Sequence, residues 1–138
     1  MLPAPVRRST LLLGSVLALA ACGSDTATDV RKSVTGTYAL ESVNGQSLPF
    51  TEDPSTPGTQ LTASALVARG DGTFEQSFSR QTGSSLATTS FAGTYSVGDQ
   101  VVAFTYAGNA LPSSLGSLTP GNGLSMSVNG ASFQYRKQ

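Results

Sequence analysis

Few residues of this 138-residue chain could carry out covalent or acid–base chemistry. Histidine is absent, which excludes Ser–His and Cys–His nucleophile pairs and the commonest general base. Glu52 and Asp53 are adjacent, but neighbouring side chains of an extended segment point to opposite sides, whereas paired glycosidase carboxylates face each other about 5–10 Å apart. The other carboxylates lie at or near turns and are expected to be solvated: Asp71, Glu75 and Asp99. The sequence therefore predicts a protein that is not an enzyme, with no catalytic residue, no metal site and no cofactor.

The single cysteine, Cys22, ends an N-terminal segment with three zones. Arg7 and Arg8 form a positive start, an apolar run follows over 11–21, and small residues lead into the cysteine. This order is typical of a secretory signal peptide. A helix over 11–21 would extend only about 16 Å, roughly half of the hydrocarbon core of a bilayer. A membrane span is therefore not expected.

Residues Leu19-Ala20-Ala21-Cys22 resemble the lipobox of bacterial lipoproteins. The resemblance implies cleavage before Cys22, a diacylglycerol on its sulfur, and a further acyl chain such as palmitate on the new amino group. Two or more chains hold a protein stably at a membrane, whereas one chain binds only marginally. Gly23 stands where an Asp would favour the inner membrane, so the resemblance implies the outer membrane if the cell has one. The alternative is a free signal-peptide cysteine that is discarded with the peptide.

The sequence predicts a signal peptide over 1–21, lipidated Cys22 with a flexible polar tether over 22–34, and a β-barrel domain over 35–138. Acylation of Cys22 would leave the mature chain without thiolate chemistry, Cys/His zinc sites or disulfides. Removing Arg7 and Arg8 from eight basic residues leaves six against eight acidic ones, a net charge near −2, and no basic run remains. Nucleic acid is therefore not an expected partner. The expected location is extracytoplasmic, with the protein lipid-anchored to a bacterial membrane and facing the periplasm or the cell exterior.

Short runs of alternating apolar residues separated by glycine turns follow from Gly36 onward. Asn129-Gly130 between two such runs is the strongest short hairpin signal, and Asp71-Gly72 repeats it. Strands are predicted at about 36–43, 60–69, 73–80, 87–97, 100–106, 122–128 and 131–136, with an eighth inside 107–121. Seven or eight antiparallel strands with long unpaired edges would invite aggregation, and closure into an up-and-down barrel removes both edges. The predicted fold is an all-β barrel of this kind, with a β-sandwich as the alternative.

The first predicted strand begins GTYALESV and the last ends FQYRK. A Gly-x-aromatic opening strand and a basic residue in the closing strand resemble the calycin barrels, and more narrowly the lipocalin-like lipoproteins of bacteria. In lipocalins the aromatic residue is a tryptophan that caps the closed end of the barrel beside a late Arg or Lys. The resemblance places Tyr38 at that position and Arg136 as the matching cation. The chain has no tryptophan, and the Gly-x-Tyr triplet recurs at Gly93-Thr94-Tyr95.

An eight-stranded barrel is just wide enough to be filled by side chains or to hold one small ligand. Small Ala and Ser residues within 62–68 and 87–92 would leave a hollow suited to an apolar ligand, unless larger neighbours close over them into an ordinary packed core. Leu124 and Val128 are also expected on the inner face. The candidate ligand-binding residues are Tyr38, Leu40, Phe74, Phe78, Val102, Phe104, Tyr106, Met126, Phe133 and Tyr135.

Leu111, Leu115 and Leu118 recur at spacings of four and three, which matches one stripe of a short helix. Such a helix could form a flap over the barrel mouth, while the alternative is a long loop with its leucines packed outside the sheet. The function expected from the whole sequence is that of a lipid-anchored envelope lipoprotein whose barrel binds a small apolar ligand. The alternative is a non-catalytic structural or inhibitor-like lipoprotein with a filled barrel, whose partner is an envelope protein.

Overall fold

The computed structural model describes residues 33–55, 58–99 and 101–138, which form an almost entirely β structure. Ser33 and Val34 have helical backbone conformation, and a 3₁₀ turn forms at Ala107–Asn109. None of the described helical segments has the length and apolar character to cross a bilayer. The strands are β1 (Gly36–Val43), β2 (Gln46–Ser47), β3 (Thr59–Ala68), β4 (Thr73–Thr82), β5 (Ser85–Gly98), β6 (Val101–Tyr106), β7 (Ser114–Thr119), β8 (Gly123–Val128) and β9 (Ala131–Lys137).

All neighbouring strands pair antiparallel, in the order β2-β1-β3-β4-β5-β6-β7-β8-β9. The sheet closes because β1 also pairs with β9, with Tyr38 opposite Lys137 and Val43 opposite Phe133. The two-residue β2 pairs only with the end of β1. The other eight of the nine strands form the closed barrel. The predicted up-and-down barrel is confirmed, and the sandwich alternative is not formed.

Local turn chemistry explains much of this meander. Asn129 and Gly130 have φ values of 50° and 80°, the positive angles that a type I′ hairpin turn needs. Asp71 accepts hydrogen bonds from the backbone N–H and the hydroxyl of Thr73, at 2.9 and 2.7 Å, which fixes the β3–β4 turn. These bonds to Thr73 also lower the pKa of the Asp71 carboxyl.

The leucine stripe does not form a helical flap. The segment instead supplies the predicted eighth strand, β7, which pairs with β6 on one side and β8 on the other. Leu115 lies on the outer face of the barrel and is 61% exposed, whereas Leu111 and Leu118 pack partly against the core. Backbone pairing on both sides of β7 outweighs the weak helical preference of a segment that contains Gly116.

Val34 covers the barrel end at the start of β1, and the exposed Ser33 lies beside it, although the sequence predicts both residues in the tether. Val34 is fully buried, and the Tyr38 hydroxyl donates a hydrogen bond of 2.7 Å to its carbonyl oxygen. The described part of the barrel unit therefore starts before the predicted boundary at residue 35. The predicted signal peptide, Cys22 and the tether before residue 33 lie outside the described residues.

The cation beside Tyr38 is Lys137 instead of the predicted Arg136. The Lys137 Nζ lies 5.9 Å from the Tyr38 ring centroid and donates a hydrogen bond of 3.2 Å to the Ser33 carbonyl. Arg136 faces outward and forms a 2.6 Å ion pair with Glu41. Strand alternation explains the difference, because the inward positions of β9 are Phe133 and Tyr135, so that position 137 and not 136 shares their side.

Candidate ligand-binding site at the barrel mouth

The opposite end of the barrel carries a cavity of about 250 Å³, which we call the cup. It lies where β1 and β8 end and β9 begins, together with parts of β4 and of two connecting loops. Apolar side chains supply most of its wall, and polar groups lie at its rim. The lining residues are Val43, Asn44, Phe50, Glu52, Phe78, Leu111, Val128, Asn129, Ala131 and Phe133.

Aromatic rings form the deep wall of the cup. Phe78 is an inward residue of β4, and its ring packs edge-to-face against Phe91 at 6.0 Å and Phe133 at 6.3 Å between centroids. Phe50 comes from the loop after β2, where its N–H and C=O bond reciprocally with Leu61 at 2.9 and 2.8 Å. That bridge fixes the Phe50 backbone at the start of β3, so part of the wall is held in place by the sheet itself.

One ion pair lies at the rim. The Arg80 guanidinium donates through Nε and Nη2 to the two carboxylate oxygens of Glu52, the second bond measuring 2.9 Å. The same guanidinium lies 5.2 Å from the ring centroid of Phe78, so charge and aromatic face are in contact. The hydrogen bonds to Glu52 raise the pKa of Arg80 above its ordinary value. The pair joins the Phe50 loop to β4 and leaves the rim close to electrically neutral.

Below the cup, buried side chains pack into one cluster in the barrel interior, and the centre of that cluster is polar. Tyr106 donates its hydroxyl proton to the side-chain oxygen of Gln76, and the Gln76 amide donates to the Tyr135 hydroxyl at 2.7 Å. The Ser64 hydroxyl lies 2.9 Å from the Tyr135 oxygen, and the Gln76 amide also approaches the Met126 sulfur at 3.9 Å. Among the described residues no buried side-chain polar atom lacks a partner. This network lies one inward position away from the cup, because Gln76 and Tyr135 are each two residues along their strands from the cup residues Phe78 and Phe133.

The network tyrosines are uncharged at neutral pH. Burial raises the pKa of Tyr135 to about 12, although hydrogen bonds from Ser64 and Gln76 oppose the shift. Burial also raises the pKa of Tyr106 above its ordinary value. The neutral Tyr106 and Tyr135 hydroxyls are held in place by hydrogen bonds to the Gln76 side chain. Neither hydroxyl is ionised at physiological pH, so neither is available as a nucleophile or base.

All ten candidate ligand-binding residues lie inside the barrel, but only Phe78 and Phe133 line the cup. Tyr38 caps the closed end. The others pack in the filled interior: Leu40, Phe74, Val102, Phe104, Tyr106, Met126 and Tyr135. The sequence gives no signal that Phe50 lines the cup, because it comes from a connecting loop with no strand periodicity. Leu111 is predicted at the barrel mouth only as part of a helical flap, and it lines the cup from a loop instead. The sequence analysis also missed Gln76, although the position midway between Phe74 and Phe78 signals that all three share one face.

The small residues expected to leave a hollow do not do so. Ser64 points inward, but the Tyr135 hydroxyl occupies the space beside it. The predicted inward Ala and Ser residues of 87–92 are exposed, because the first half of β5 extends beyond the mouth. The space for a ligand comes instead from the gap between the β8–β9 turn and the Phe50 loop.

A second concavity of about 300 Å³, which we call the outer groove, lies on the outside of β6–β9. Half of its lining residues are serines, and Met126, one of the predicted ligand-binding residues, also contributes to its wall. The lining residues are Val101, Leu115, Gly116, Ser117, Ser125, Met126, Ser127 and Ser132. It exists because small side chains on the outer face of the sheet leave a depression between larger ones. Unlike the cup, it has no aromatic ring in its wall.

The described carboxylates do not converge on a site. Asp53 accepts hydrogen bonds from Ser55, Glu52 pairs with Arg80, and no group of three acidic residues that could hold a metal ion occurs in the described ranges. No protein-family model, no curated protein and no solved structure shows a significant match to the chain. The barrel and its cup are therefore the observations on which a functional assignment rests.

Proposed function

We propose that the cup binds a small apolar molecule, or the apolar end of an amphipathic one. The observation that carries this proposal is an aromatic-walled cavity of about 250 Å³ at the mouth of a closed barrel. An engineered apolar cavity of about 150 Å³ stays dry and binds benzene, so the cup has room for a group somewhat larger than one aromatic ring. When such a group replaces water in the cup, the apolar side chains of the wall are removed from contact with water, and this favours binding.

The wider setting is a proposal that rests on the sequence. Cys22 in its lipobox-like context would be acylated, so that a lipocalin-like barrel stands on an extracytoplasmic anchor at a bacterial membrane, the outer membrane in a cell that has one. The protein would then present the cup to molecules of the periplasm or exterior without chemically altering them. A non-catalytic structural or protein-binding role is the second candidate, and the packed interior below the cup favours it.

The binding proposal is tested with N-phenyl-1-naphthylamine, a neutral fluorophore whose emission rises in apolar surroundings. Ala131 lines the cup, and a larger side chain there would fill it, whereas the adjacent Ser132 lines the outer groove. We expect saturable binding to the wild type and Ser132→Phe, and at least tenfold weaker binding to Ala131→Phe. Binding lost only in Ser132→Phe would assign the ligand to the outer groove. No saturable binding in any variant would support the structural or protein-binding role.

A further inference from the structure

The β4–β5 hairpin leaves one strand edge open above the barrel mouth. β5 pairs with β4 from Ser85 to Thr94, but its pairing with β6 begins only at Gly93. Within the described residues no strand lies on the other side of Ser85–Phe91, which we call the free edge. The first half of β3 also lies beyond its pairing with β1, but there the Phe50–Leu61 bridge covers part of the edge. Along the free edge no such bridge is formed among the described residues, so backbone hydrogen-bonding capacity remains unused there.

The residues that present this capacity follow from strand alternation. The Tyr95 N–H donates to the Gly72 carbonyl at 2.8 Å, so Tyr95 turns its backbone groups toward the β4 side. Every second residue before it does the same, and the residues between turn theirs away. Leu86, Thr88 and Ser90 therefore direct their N–H and C=O groups outward along the free edge.

The free edge lacks the features that usually prevent strand pairing. Ser85–Phe91 contains no charged residue, no proline and no described bulge against β4. Leu86 is 66% exposed. The hairpin is also held in shape, because hydroxyl pairs join Ser79 to Thr88 and Thr59 to Thr82, each at 2.8 Å. A preformed strand loses little conformational freedom when a second strand is added.

We propose that two copies of this protein pair antiparallel through their free edges, around a two-fold axis at Thr88. This register places Thr88 opposite the partner's Thr88 and Leu86 opposite the partner's Ser90, so that the outward N–H and C=O groups of one copy meet those of the other. A two-fold axis brings each residue close to its own copy, where a charged residue would repel itself. The uncharged free edge is therefore suited to a second copy, and opposed threonines are a favourable cross-strand pair.

A disulfide at the two-fold axis tests this register in the full chain carrying Cys22→Ser, in which the introduced thiol is the only one. A hydrogen-bonded antiparallel pair has Cα atoms about 5.5 Å apart, within the range that a disulfide spans. We expect Thr88→Cys to become mostly a covalent dimer on mild oxidation. Ser96→Cys is the matched control, since it is exposed on the same strand where β6 covers the edge, and it should stay mostly monomeric. Equal, low cross-linking of both variants would overturn the proposal.

The non-covalent dimer is tested by sedimentation equilibrium in the same background. Ser90→Pro removes one outward N–H without removing a bond to β4, while Ser90→Ala keeps that N–H. We expect the average mass of the Ser90→Ala chain to rise with concentration toward twice the 14.1 kDa monomer mass. Ser90→Pro should need at least tenfold more protein to reach the same average mass. A mass that stays monomeric for Ser90→Ala would overturn the proposal and would leave the free edge as a surface for other extended chains.

Discussion

Replacement of Gln76 by methionine tests whether the polar network holds the barrel interior together. The side chain keeps its approximate length but can no longer accept the Tyr106 proton or donate to Tyr135. Loss of the Tyr135 bond costs about 1 kcal/mol, and leaving the buried Tyr106 hydroxyl without its acceptor costs about 1–3 kcal/mol more. We expect the free energy of unfolding to fall by about 2–4 kcal/mol, a large part of the 5–15 kcal/mol typical of a small domain.

Urea unfolding followed by tyrosine fluorescence provides the measurement, since the chain has no tryptophan. Gln60→Met is the matched control, because Gln60 is exposed on β3 and its replacement should change stability by less than about 0.5 kcal/mol. The double variant Gln76→Met, Tyr135→Phe should be more stable than the sum of the single effects predicts, because it removes both ends of one bond. A loss below about 1 kcal/mol for Gln76→Met would refute the network as a stabilising feature.

Three further predictions concern pH, packing and location. Burial raises the pKa of Tyr135 from its ordinary 10.0 to about 12, so its contribution to stability is complete below pH 10 and is lost as the pH rises from 10 toward 12. The urea midpoint should therefore fall between pH 10 and 12, and less so in Tyr135→Phe. Gly93→Ala should lower the free energy of unfolding by about 1–3 kcal/mol in the same assay, because a Cβ at this position would overlap the Thr105 carbonyl and the Phe74 ring. Gly98→Ala is the control and should leave the free energy of unfolding nearly unchanged, because a Cβ there meets open space. Cys22→Ser should move the protein from membrane to soluble fractions on cell fractionation, and equal membrane retention would contradict the lipid anchor.

Strand positions can be predicted from the sequence wherever the residues of a turn determine its conformation by themselves. Asn129-Gly130 and Asp71-Gly72 specify their hairpins by side-chain and backbone preferences that act over a few residues. The leucine stripe was misleading because spacings of three and four residues indicate a helix only when one face of the segment is buried. In the fold, Leu115 faces solvent, and the backbone of β7 is hydrogen-bonded to β6 on one side and to β8 on the other.

The candidate site was predictable only in part. Phe78 and Phe133 follow from strand alternation, and the same alternation places Lys137 instead of Arg136 on the inward side of β9. Phe50 could not be placed, because a loop position depends on tertiary contacts such as the Phe50–Leu61 bridge. Leu111 lies at the mouth as the flap interpretation predicts, but on a loop and not on a helix. Periodicity assigns a residue to the interior of a barrel, but it does not distinguish a packed layer from a cavity.

The function proposed for this protein is the binding of an apolar molecule in the cup. Methyl-labelled protein titrated with toluene and followed by carbon–proton NMR tests it most directly. Val43, Leu111 and Val128 line the cup, whereas Leu115 lines the outer groove and Val102 lies in the filled interior. If the cup binds toluene, the methyl groups of Val43, Leu111 and Val128 should show saturable shift changes, and those of Leu115 and Val102 should be nearly unchanged. Changes centred on Leu115, or no saturable change at any of these methyls, would contradict it.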